Sequence, residues 1–151
     1  MKHQTRLLAG GAAALLISFL AWEWYLSPTA RLERFLSDAA EAAEERDGER
    51  LLTFFSRNYR DHRNLDYQTL AKLVDEGFSR VDRLNVTLQR VRPRIHGDQA
   101  TASLDLMVVG IRGQQRYLLV GAPMQPEKLQ VELAREEGKW RILSVKKGAR
   151  P

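Results

Sequence analysis

The feature that most constrains this chain is a change of hydrophobic period near residue 83. Upstream, apolar residues recur every three to four positions, the spacing of a helix with one wet face; downstream they alternate, the spacing of a strand. Leu32, Phe35, Leu36, Ala39, Ala42 and Ala43 mark a first helix, with Asp38, Glu41, Glu44, Glu45 and Arg46 on its wet side. Ser27 is placed to cap it and Pro28 to open it, because the first turn leaves proline's missing donor unused. Gly48 is the expected stop. Leu51, Phe55 and Tyr59, one turn apart, mark a shorter second helix. Asp66 or Asn64 caps a third, whose apolar stripe is Leu70, Leu73, Val74, Gly77 and Phe78.

From Arg83 the alternation sets in. Leu84, Val86 and Leu88 form one face of a first strand that continues past a break near Pro93 to Ile95. His96-Gly97-Asp98 is a turn, so a hairpin follows, with Ala100, Ala102, Leu104, Leu106 and Val108 on one face of the second strand. Gly110–Gly113 is read as the next turn and Gln115–Val120 as the third strand. Leu129, Val131 and Leu133 alternate on a fourth, Glu137-Gly138 turns, and Trp140, Ile142 and Ser144 mark a fifth. Helices followed by a run of strands make an α+β order with a mostly antiparallel sheet of about five strands. No repeat and no interior linker interrupts it.

The amino terminus predicts an export segment. Leu7–Leu26 carries one charge, Glu23, after the basic Lys2 and Arg6. Twenty helical residues reach about 30 Å, the hydrocarbon thickness of a bilayer. Trp22, Trp24 and Tyr25 cluster at its far end like an interfacial belt, and the leading positive charges favour an amino terminus kept inside. The expectation is residues 1–27 as a stub and transmembrane anchor, 28–147 as a periplasmic domain, and 148–151 as a tail, in a single-pass protein of a bacterial inner membrane. A cleaved secretory signal is the alternative, which Pro28 opposes by sitting among the small residues that cleavage needs.

Composition then excludes chemistry. The 151 residues hold no Cys, which removes disulfide scaffolds, thiolate metal sites and cysteine nucleophiles together. His3, His62 and His96 lack metal-ligand spacing, and no Walker loop, G-x-S-x-G or G-x-G-x-x-G occurs, so neither a metal nor a cofactor is expected. The net charge of +5 does not argue for nucleic acid, since Arg supplies most of the basic residues and an exported domain meets little of it. Arg57, Arg60 and Arg63, and Arg90, Arg92 and Arg94, are solvated faces or face anionic lipid headgroups.

The order of these elements resembles the nuclear transport factor 2-like superfamily, also called SnoaL-like, with its cystatin-like cone. The likeness is carried by the long first helix, by Phe55-Ser56-Arg57-Asn58-Tyr59-Arg60-Asp61, and by the helix from Asp66. It continues in His96-Gly97-Asp98-Gln99-Ala100-Thr101-Ala102 and in the closing Lys139-Trp140-Arg141-Ile142-Leu143-Ser144-Val145. It implies three helices packed on a curved sheet, a fold that hosts isomerases, dehydratases and non-catalytic binding domains alike, and often dimerises through its sheet.

The faces assigned inward carry no Asp, Glu or His. Asp105 stands in mid-strand, opposite the Leu104/Leu106 face, and turns inward only if a bulge shifts the register. Tyr59, Asp61 and His62, with Asp66 and Tyr67, are the one dense polar cluster; its first three residues are readable as an acid–base set, or the whole as a helix-to-helix loop. No catalytic residue is therefore assigned. Phe55, Tyr59, Phe78 and Trp140 are core, or else line an apolar pocket. Met107, Val109, Leu118, Val120, Leu143 and Val145 predict a second apolar sheet face. The first expectation is a membrane-tethered, non-enzymatic scaffold that dimerises through this face or joins a membrane complex. An apolar small-molecule carrier or sensor and an isomerase- or dehydratase-like enzyme are the alternatives.

Overall fold

The computed structural model describes residues 15, 17–22 and 27–148. It contains helices α1 (Pro28–Glu44), α2 (Gly48–Thr53) and α3 (Tyr67–Ser79), then strands β1 (Arg83–His96), β2 (Gln99–Arg112), β3 (Gln115–Val120), β4 (Glu127–Glu136) and β5 (Lys139–Lys147). Every strand pairing is antiparallel. The order is β1-β2-β4-β5, and β3 pairs with the far end of β2. Because β4 takes Gln99–Leu106 and β3 takes Val108–Arg112, both lie along the same edge of β2 in succession.

The caps follow the chemistry of the sequence. Ser27 Oγ accepts the Ala30 N–H, with Pro28 at the first helical position, and Asp66 Oδ1 accepts the Thr69 N–H to start α3. The end of α1 is made differently from expectation. Arg46, at φ 54°, turns the chain out of the helix, and Gly48 opens α2 under an Asp47 cap instead of stopping α1. Arg46 is then held by its side chain, which donates to the Val81 carbonyl at 2.9 Å. The second helix does not reach Phe55 and Tyr59. It ends at Thr53 because β5 captures the following backbone: Ile142 N–H donates to Phe54 O and Ser56 N–H to Ile142 O.

The core lies between α1 and the concave sheet face. Leu32, Leu36, Ala100, Ala102, Leu104, Val131, Leu133, Trp140 and Ile142 are all buried in one cluster. β2 continues through Gly110 to Arg112, so the turn is Gly113-Gln114, later than expected. The predicted second apolar face forms only in part: Val109 pairs with Leu118 on the convex side, but two of its members are turned away. Extra residues in β3 and β5, between the Val108/Val109 and the Glu132/Leu133 registers, place Val120 opposite Val108 and Val145 opposite Val131, on the concave side. A one-residue bulge reverses the facing of everything after it.

The membrane assignment is overturned. Most of Leu7–Leu26, with the stub before it, lies outside the described residues, and 17–22 is exposed helix. Among the described residues no helix is long and apolar enough to cross a membrane. The longest, α1, has 17 residues and alternates apolar with charged positions, whereas a span needs about 20 predominantly apolar ones. A single-pass inner-membrane location with a periplasmic domain therefore has no structural support.

Candidate functional site

The concave face of the sheet forms the floor of an open cavity of about 380 Å³. The sheet contributes Leu84, Val86 and Leu88 from β1, and Leu104, Leu106 and Val108 from β2. The remaining strands add Leu119, Val120, Leu129, Val131, Ile142 and Val145. Leu36, Ala39, Ala40 and Ala43 of α1 form the opposite wall, and Leu73, Val74, Gly77 and Phe78 of α3 the roof, with Phe55 between. Among the described residues, none in the wall carries a nitrogen or oxygen in its side chain. The volume lies within the usual range for small-molecule sites, and such a surface holds its occupant by excluding water.

Its mouth lies between α3 and β3. The most exposed wall residues are Leu73 on α3, at 49%, and Leu119 on β3, at 51%. No residue of α3 is fully buried, although its apolar stripe faces the sheet. Its first turn packs on the core through Tyr67 and Leu70, and its later residues roof an opening. Gly77 faces open space: a Cβ built there meets nothing within 4 Å.

The structure separates the four aromatic residues singled out from the sequence. Phe55 and Phe78 are in the cavity wall. Tyr59 is buried at the edge of a different pocket and meets Phe55 edge-to-face at 5.3 Å. Trp140 is buried in the core under the Arg135 guanidinium, 4.8 Å above its ring. Strand parity alone turns Leu84, Val86, Leu88, Leu104, Leu106, Val108, Leu129, Val131 and Ile142 inward; it misses Leu119, Val120 and Val145, which only a bulge brings into the wall.

The polar cluster resolves into a loop. Asp61 Oδ1 accepts the Arg63 and Leu65 backbone N–H groups, both at 2.8 Å, so its carboxylate is committed to a turn. His62 is exposed. Burial, with the Asp61 charge added, pushes the Tyr59 phenol up to about 12, which suits a hydroxyl kept neutral. Asp105 faces away from the cavity, as its parity predicts. It is buried, and Arg90 reaches it through a 2.6 Å hydrogen bond from Nε. Arg90 sits in the irregular stretch between Gln89 and Arg92 at φ 50°.

A second, open pocket of about 840 Å³ is lined by Arg57, Asn58, Tyr59, Arg60, the α3 cap Asp66, and α3 residues including Tyr67 and Lys72. Arg57 lies 4.6 Å over the Tyr67 ring. The Thr69 N–H bound to its carboxylate lowers the Asp66 pKa, consistent with its capping role. No group of three or more potential metal ligands occurs among the described residues.

No protein-family profile matches the sequence, and no curated protein matches it. Solved structures do resemble it. Bd1075 of Bdellovibrio bacteriovorus aligns with a TM-score of 0.65 at 14% identity, over 78% of this chain and 40% of that one, so this chain spans well under half of that protein. A Mycobacterium tuberculosis protein of unknown function aligns at 0.64 and 18% identity, over 78% of this chain and 73% of the other. A nuclear transport factor 2-like protein with a cystatin-like fold, from Novosphingobium aromaticivorans, aligns at 0.60 and 16%, over 91% and 86%. Identities this low speak to architecture and not to activity. A helix-roofed, curved antiparallel sheet with these neighbours has the cystatin-like fold of the nuclear transport factor 2-like proteins.

Proposed function

We propose that this domain binds an apolar small molecule inside the cone and performs no acid–base chemistry on it. The observation that carries this reading is the 380 Å³ cavity whose wall is built wholly of apolar side chains and glycine, beneath a helix with no buried residue. A general acid or base must stand within hydrogen-bond reach of the reacting atoms, and Tyr59, Asp61 and His62 are absent from this wall. An apolar fluorophore whose emission rises on leaving water tests the reading. Saturable binding to the full chain is expected, and Gly77→Leu, which fills the space under α3, should abolish it. Equal binding to both proteins would refute the assignment.

A second reading, self-association, is favoured by one element. β3 pairs only with β2 among the described residues, and it exposes Tyr117, Leu118 and Leu119 in succession. An apolar strand with an unpaired edge is a template for another strand. The partner proposed for it is a second copy of this chain.

A further inference from the structure

The wall and the rim together narrow the chemistry of the occupant. We propose that the ligand is an uncharged molecule with a hydrocarbon body and at most one hydrogen-bonding group, seated with that group at the Leu73–Leu119 mouth. This rests on the reading of the cavity as a binding site. At the deepest end, Leu36, Leu104, Val131 and Ile142 are nearly inaccessible. They offer a polar ligand atom no side-chain partner, and the strand backbone beneath them is engaged in the sheet ladders. A polar group pushed to that end gives up water and gains nothing, so it weakens binding.

The rim decides the charge. One turn from Leu73 and Gly77 on α3 stand Thr69, Glu76 and Arg80, and Arg80 lies 3.7 Å from Glu76, so this pair neutralises itself. On the β3 side, Tyr117 is two residues from Leu119 and hydrogen-bonds Gln115. With the Thr69 and Tyr117 hydroxyls bonded to Asp66 and Gln115 and the ion pair matched, this rim presents no spare charge to a ligand head. The basic side chains Arg57, Arg60 and Lys72, which would hold a carboxylate or phosphate, line the other pocket. A desolvated charge with no counter-charge is the most costly group to bring to such a mouth.

Displacement of a naphthylamine fluorophore from the full chain tests this with three ten-carbon competitors: decanol, decanediol bearing a hydroxyl at each end, and decanoate. Decanol should displace it, and the diol and the carboxylate should each be at least about tenfold weaker. A diol or carboxylate as potent as the alcohol would overturn the ligand class while leaving cavity binding intact. Gly77→Leu should remove decanol binding. Leu73→Asp, at an exposed position that folding tolerates, should weaken decanol through the mouth alone. If the fluorophore fails to bind the full chain, or if neither variant changes its binding, the cavity reading itself fails and this inference with it.

Discussion

Tyr59 shows how much a residue's role depends on what surrounds it. In sequence it stands with Asp61 and His62 as part of an acid–base set. In the fold its ring packs on Phe55, and burial raises its pKa to about 12. A group whose folded pKa exceeds its unfolded value of about 10 stabilises fully below the unfolded value and loses that contribution as pH climbs through the folded one. Stability should therefore fall between pH 10 and about 12, by on the order of 2 kcal/mol from this residue. Tyr59→Phe should remove that part of the loss while the other tyrosines keep theirs; urea midpoints across this range measure it. Arg90 and Asp105 make a complementary case. Asp105 is buried, whereas the Arg90 side chain is 63% exposed. Arg90→Ala, which strands a buried carboxylate, should cost about 1–3 kcal/mol. Asp105→Asn, which leaves an arginine free to rehydrate, should cost less. Paired denaturation curves check the asymmetry. The sequence showed that Asp105 faces away from the cone, but not that it is covered, because the arginine that reaches it lies fifteen residues away across a bulge.

The elements most legible from sequence were those set by local chemistry. Ser27 and Asp66 cap α1 and α3, and Glu137-Gly138, both at positive φ, turns β4 into β5. The misread elements were those whose fate depends on distant backbone. α2 stops at Thr53 because β5 competes for the Phe54 and Ser56 backbone groups. The β3 and β5 bulges were hidden because Leu118, Leu119 and Val120 are all apolar, as are Ile142, Leu143 and Val145. Any parity reads equally well through such a run. α3 carries the prediction at this scale. With none of its residues buried, its amides should exchange with solvent faster than those of α1, whose Leu32, Leu36, Ala39 and Ala42 are buried. Gly77→Leu should slow that exchange by filling the space beneath the helix. It should also raise stability by about 1 kcal/mol from helix propensity, read as a shifted urea midpoint.

The whole molecule pairs a well-packed half, where α1 meets the sheet, with an emptier half under α3. A ligand that enters the emptier half and binds only the folded state must raise the melting temperature. At a free concentration one hundred times its dissociation constant the gain is about 2.7 kcal/mol, and several degrees of shift for decanol against none for Gly77→Leu would be diagnostic. Light scattering at rising concentration tests self-association through β3. A dimer should form, and Leu118→Lys should return it to monomer by placing a charge on the edge strand. From sequence alone came the α+β order, the caps, the hairpin turns and the apolar character of the inward faces, because each rests on contacts within a few residues or on a simple period. The cavity, its mouth and its wall were settled only by tertiary structure, since they depend on two one-residue bulges and on how far a helix stands from a sheet. Those are distances between segments remote in the chain, on which local patterning has no purchase.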